Sequence, residues 1–244
     1  MPAQGPDPPE ALIQALHDRY LLEVVEDLGL CPFARRCREQ GRVARPLFYT
    51  ADDAGDDPAK DAGLPALAAA QVAALSEAQP TLEVVLLTFV LPRAAGHPWH
   101  DVDAFELLVR AVRDSYEART PPGPRFYMVG FHPGLRGPDS RRPPTPDGLV
   151  PLLRRTPDPV IQCIRADLLD HIRRQAQAAA NARFIAEMTR LGPEYAVLAS
   201  QAIQSDPELS ADIARHNFQQ VGAGPGRATL EQRIQAILAA RAGT

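Results

Sequence analysis

Leu82-Glu83-Val84-Val85-Leu86-Leu87-Thr88-Phe89-Val90, followed by Pro92, is the stretch on which the fold turns. A run so apolar and so rich in β-branched side chains fits a strand covered on both faces, and the proline beyond it stops the strand. Working outward, residues 62–78 are alanine-rich and helical, and residues 43–49 read as an earlier strand. Downstream, Asp101 or Asp103 can cap a helix reaching about residue 119, with Phe105, Leu108, Val109 and Val112 along one side. Residues 125–131 form a third apolar strand. Alternation of helix and strand of this kind is that of a layered α/β domain.

Towards the N-terminus, Leu12, Leu16, Leu21, Leu22, Val24, Val25 and Leu28 stripe a helix over residues 10–28, with Gly29 as its C-cap. A short basic helix over residues 33–40 stops at Gly41. Beyond the third strand, residues 133–159 hold eight prolines and five arginines and read as an irregular loop. From residue 166 the pattern is helical only, over 166–191, 207–221 and 229–242, with a breaker at 222–226. The sequence therefore predicts a small layered sheet of about three to four strands with flanking helices over residues 10–165. An all-helical C-terminal appendage follows over 166–244.

Twenty-six basic residues stand against thirty acidic ones, a net charge of -4, so a generally basic nucleic-acid binder is disfavoured. No apolar run nears the roughly 20 residues that cross a bilayer. Residues 1–9 lack the basic start and apolar centre of a signal peptide, so a cytoplasmic location is expected. Three cysteines without CxxC spacing indicate neither a disulfide framework nor a zinc knuckle. Lys60 is the only lysine, so arginine carries the positive charge throughout and any one arginine has less functional weight than usual. The aspartate-rich stretch 50–61 reads as a solvated loop.

Four places could hold chemistry. Cys31 precedes Pro32 at the start of a helix, where backbone N–H groups and Arg35 and Arg36 would favour a thiolate. Its plain alternative is a small buried hydrophobe beneath a turn. His132 sits where the strand 125–131 ends, the end at which ligands gather in open α/β sheets; it could serve as a base, a metal ligand or a turn residue. His97 and His100, three apart and followed by Asp101 and Asp103, could contribute to a metal site with His132. The loop from Arg136 to Pro146, with Arg154 and Arg155 after it, offers guanidinium groups for an anionic small molecule. His17, His171 and His216 lie in helical stretches and read as structural. No Walker loop, GxGxxG, GxSxG or HExxH is present.

Taken together, Gly29-Leu30-Cys31-Pro32-Phe33-Ala34, Leu86-Leu87-Thr88-Phe89, Phe131-His132-Pro133 and Leu152-Leu153-Arg154 occur in an order that resembles an uncharacterised bacterial family, domain of unknown function 1415. The resemblance covers roughly residues 10–165 and implies that Cys31, His132, Arg142 and Arg154 occupy the family's signature positions. The sequence departs from the family at Gly134-Leu135, at Arg141-Arg142-Pro143-Pro144 and at Pro151 and Arg155.

Three readings follow. In the first, a small enzyme acts on an anionic molecule with Cys31 as nucleophilic or redox thiol and His132 as its base or acid. Arg35, Arg142 and Arg154 then grip a carboxylate or phosphate. In the second, Cys31, His132, His97 and His100 bind a transition metal, iron, copper or zinc, which is the one cofactor the residues suggest. In the third, the chain is not an enzyme, and its C-terminal helices dock a partner or a second copy.

Overall fold

A computed structural model describes residues 9–50, 63–92, 96–119, 124–137, 145–192, 195 and 209–243. The acidic stretch 51–61 and Arg142 lie outside the described residues. The chain opens with α1 (Glu10–Arg19), which runs on into a wider π-helical segment, Tyr20–Glu26. It continues through α2 (Ala34–Glu39), β1 (Val43–Ala44), β2 (Leu47–Tyr49), α3 (Leu64–Ala78), β3 (Val84–Val90), a short 3-10 turn at Pro98–His100 and α4 (Val102–Arg119). Then come β4 (Phe126–Phe131), α5 (Pro146–Leu153), β5 (Val160–Arg165), α6 (Ala166–Leu191), α7 (Leu209–Val221) and α8 (Gly224–Ala242). The molecule is thus α/β with a helical C-terminal region, and the sheet is mixed and five-stranded.

β1 and β2 pair with β3 in one continuous parallel register, Val43 opposite Val84 and Leu47 opposite Thr88. They are one edge strand broken at Arg45-Pro46, where proline has no N–H to give the ladder. β5 lies between β3 and β4 and is antiparallel to both, with Cys163 opposite Val85 on one side and Met128 on the other. β3 and β4 therefore run in the same direction, and their carboxyl ends share one end of the sheet. β5 is a strand that the sequence pattern does not predict. Only six residues, Val160–Arg165, separate the proline-rich segment from α6, and Arg165 passes into Ala166 without a turn residue.

The irregular loop expected over 133–159 is corrected by α5. Thr145 caps this helix, its hydroxyl accepting from the Gly148 N–H at 3.1 Å, and Pro146 fits the first turn, where no N–H is needed. The breaker at 222–226 is likewise shorter than expected, since α8 begins at Gly224. Asp101, not Asp103, caps α4, accepting from the Ala104 N–H at 2.9 Å.

One core lies against the sheet: Val85, Leu87 and Phe89 of β3 with Val72 of α3, Phe105, Val109 and Val112 of α4, and Ile161 and Cys163 of β5. Phe89 centres it, stacked at 5.3 Å on Phe48 and edge-on to Phe105 at 5.8 Å and to Trp99 at 5.9 Å. Burying each such ring contributes roughly 1.5–3 kcal/mol. A second core is built almost entirely from helices, joining Tyr20, Val24 and Leu30 to Leu149 and Leu152 of α5 and to Val221, Leu230, Ile234 and Ile237 of α7 and α8. Between the cores lies buried Asp158, which accepts from Arg241 Nε at 2.8 Å and faces His17 Nε2 at 3.2 Å. Among the described residues, no helix is long and apolar enough to cross a membrane.

Candidate functional site

The shared carboxyl end of β3 and β4 holds His132, Trp99, His97 and His100. His132 is buried, and both ring nitrogens are committed to backbone. Nδ1 accepts from the Gly134 N–H at 2.9 Å, and Nε2 faces the Trp99 carbonyl at 2.9 Å. A nitrogen facing a carbonyl must donate, so the ring is the neutral Nε2–H tautomer. Burial holds its pKa below the ordinary value, and the Trp99 hydrogen bond only partly offsets this. Neither nitrogen is available to take a proton from a thiol.

His97 Nδ1 accepts from the Trp99 N–H at 3.3 Å, and His100 Nε2 faces the Pro92 carbonyl at 3.0 Å. The two rings stand 6.2 Å apart, edge to face. Among the described residues, no three His, Cys, Asp or Glu side chains converge to hold a metal ion. The ligand set Cys31, His132, His97 and His100 is therefore not assembled here. The imidazoles order the loop between β3 and α4 by bonding its backbone.

Cys31 is half-buried, whereas Cys37 and Cys163 are buried. Burial raises its pKa, and the backbone N–H groups of Phe33 and Ala34 only partly counter this, while the Glu26 carboxylate adds to the rise. The helix-start effect expected from the sequence is thus present but outweighed. The arginines expected to support a thiolate are engaged elsewhere: Arg35 lies 3.5 Å from Glu26, and Arg36 lies 2.7 Å from Glu83. Among the described residues, no hydrogen bond joins Cys31 to His132.

Arg113 and Arg155 are half-buried without an ion pair among the described residues, but their guanidiniums donate to the Met128 and Pro133 carbonyls, and Arg154 differs from both. Arg36, Arg38, Arg42, Arg45, Arg165, Arg227 and Arg241 each meet a carboxylate. Arg154 is half-buried and has no ion pair among the described residues. Its guanidinium lies 5.9 Å from the centre of the Phe131 ring. Burial lowers its pKa, and the more distant charges of Glu106 and Tyr20 oppose the shift. Its backbone is pinned on both sides: its carbonyl accepts from the His132 N–H at 3.0 Å, and the preceding carbonyl, of Leu153, accepts from the Tyr20 hydroxyl. Tyr20 opens the π-helical segment and shares the second core with Leu30, the residue before Cys31. Tyr20 thus ties the residue before Arg154 to the core that also holds Leu30. Short π-helical insertions are frequent at functional sites.

Three features had no signal in the linear sequence. Cys37 Sγ donates to Glu83 Oε2 at 2.9 Å, and Arg36 and Arg42 hold the same carboxylate. Burial, then the Glu83 bond, pushes the Cys37 thiol up to about 11. Burial alone would raise Glu83, but the bonds from Cys37 and Arg42 and the charges of Arg36 and Arg42 hold it below the carboxylate range. A cleft of about 640 Å³ lies at the opposite end of the sheet from His132, lined among others by Arg125, Arg165, Asp167 and Asp170. Its arginines are paired within it, Arg165 with Asp167 at 2.6 Å and Arg125 with Asp170 at 3.5 Å, so it offers no open cation. The third is Glu106, on α4.

Comparison with protein-family models, with curated proteins and with solved structures finds no match to this chain.

Proposed function

We propose that the chain is a small enzyme acting on an anionic small molecule, with Arg154 gripping the anion and Cys31 supplying the reacting thiol. The observation that carries this reading is Arg154: a half-buried guanidinium without a hydrogen bond or carboxylate partner among the described residues, its backbone fixed at the end of β4. Partial burial of an unpaired cation costs stability, and an arriving carboxylate or phosphate would recover it through bidentate hydrogen bonds. Cys31 is the accessible thiol of the three. His132 acts in this reading as a positioning residue that holds Arg154 in place. Its part as base would require giving up the Trp99 or Gly134 bond. The resemblance to domain of unknown function 1415 supports the same choice of Cys31 and Arg154.

The test uses two alkylating reagents of nearly equal size, anionic iodoacetate and neutral iodoacetamide, on the full chain, with modification at Cys31 followed by peptide mass spectrometry. Iodoacetate should be favoured at Cys31 relative to a free cysteine, and Arg154→Met should abolish that preference. An unchanged reagent ratio in Arg154→Met overturns the shared site. Near-stoichiometric iron, copper or zinc that disappears in Cys31→Ser would install the metal reading in its place.

A further inference from the structure

We infer that the outer edge of β4 at Gly130 forms a second half of the Arg154 site, where Glu106 receives the cationic end of a zwitterionic ligand. The inference rests on the reading of Arg154 given above and adds the ligand class. β4 is an edge strand, so half of its backbone groups face away from the sheet. The direction is fixed by the ladder: the Arg125 carbonyl accepts from the Ala166 N–H at 2.8 Å, so alternate residues from 125 turn towards β5. Met128, Gly130 and His132 consequently turn outward.

Two of these three have partners. The Met128 carbonyl accepts from Arg113 Nη2 at 3.1 Å, and the His132 N–H donates to the Arg154 carbonyl at 3.0 Å. Among the described residues, nothing bonds the N–H or C=O of Gly130 between them. The space a side chain would occupy there belongs to Glu106: a Cβ on residue 130 would stand 2.5 Å from Glu106 Oε1 and 3.3 Å from Val109 Cγ2. Glu106 is half-buried, and its side chain, like that of Arg154, has no hydrogen bond or ion pair among the described residues.

A carboxylate and a guanidinium therefore approach one strand end and attract each other without closing into an ion pair. An open backbone donor and acceptor, those of Gly130, lie beside the carboxylate. Closing the two charges directly would leave Gly130 unsatisfied. A molecule with a carboxylate for Arg154 and an ammonium for Glu106 and the Gly130 carbonyl satisfies all of these groups together. An amino-carboxylate has that chemistry.

Calorimetric titration of the full chain with glycine, 4-aminobutyrate and 6-aminohexanoate, each beside acetate, butyrate or hexanoate of matched length, tests this. At least one amino-carboxylate should bind about 10-fold more tightly than its plain carboxylate, as one added charge contact permits. Glu106→Gln should remove that preference without weakening the plain carboxylate. Arg154→Met should weaken both. If no amino-carboxylate is preferred, or if Glu106→Gln weakens both members of a pair equally, the inference falls, and the Arg154 reading stands provided the carboxylates still depend on Arg154. Absence of binding by every molecule overturns both.

Discussion

The backbone N–H of His132 donates to the carbonyl of Arg154 at 3.0 Å, while the His132 ring ties the same turn to Trp99 and Gly134. The imidazole is thus an anchor for Arg154, whose guanidinium has no ion pair among the described residues. Replacing His132 by Phe keeps the ring against Phe105 but leaves the Trp99 carbonyl and the Gly134 N–H without partners. A loss of about 2 kcal/mol is expected in urea unfolding. Anion binding should weaken in the same variant although Arg154 is intact. Unaltered stability would show that neither bond is needed.

The same histidine sets a pH dependence. Its folded-state pKa is depressed by burial, so it contributes stability above its unfolded value of about 6.5, lost as pH falls through the lower folded value. The urea midpoint should decline from pH 7 towards pH 5, and His132→Phe should flatten that part of the curve. An identical decline in the variant would assign the effect to other groups.

Cys37 gives the opposite slope. Its folded-state value of about 11 lies above the unfolded thiol value of about 8.5. Its contribution is complete below about pH 8.5 and is lost as pH rises towards about 11. Cys37→Ala should reduce that alkaline loss. In the native chain at neutral pH, Cys31 should be the first thiol alkylated, with its rate still climbing above pH 8 because its own pKa is raised. Early modification of Cys37 or Cys163 would contradict the burial on which this rests.

Gly130→Ala probes the edge of β4 without removing a charged side chain. The added methyl group must displace the Glu106 carboxylate, which can swing away on a flexible stem, so the stability cost should stay near or below about 1 kcal/mol. Discrimination between amino-carboxylates and plain carboxylates should nevertheless be lost, as in Glu106→Gln. Retained discrimination in a folded Gly130→Ala protein would place Glu106 outside the ligand's reach.

Removing one member of a buried charge pair costs about 3–5 kcal/mol, because the other is left uncompensated. Arg241→Met leaves Asp158 facing only His17, and a loss of that order is expected by urea unfolding, with faster amide exchange in α1 and α8 together. Faster exchange confined to α8 would mean that the pair does not couple the two helices.

The alternation of strands and helices through residue 131 was legible because each element repeats its apolar residues at one period, as Phe105, Leu108, Val109 and Val112 do on α4. β5 was not legible, since Val160–Arg165 is short and runs into a helix without punctuation. α5 was hidden by its prolines, although Thr145 and Pro146 are the residues that begin it. Cys31, His132 and Arg154 could be singled out from their neighbours, but what each touches could not. The fate of Arg35 depended on Glu26, and that of His132 on a carbonyl thirty-three residues away. Glu106 gave no sign, for its interest comes from a glycine on another element.

The second core binds Tyr20 and Val24 to Leu230, Ile234 and Ile237. Contacts so distant along the chain require closure of a very long loop before any of them contributes, and such closure slows folding. The apolar faces of the first helix and of α5 must therefore wait, exposed, until the last helix arrives. During synthesis on the ribosome everything between Tyr20 and Leu230 must be made first, and it is in that interval that the chain is most open to capture by chaperones or to self-association.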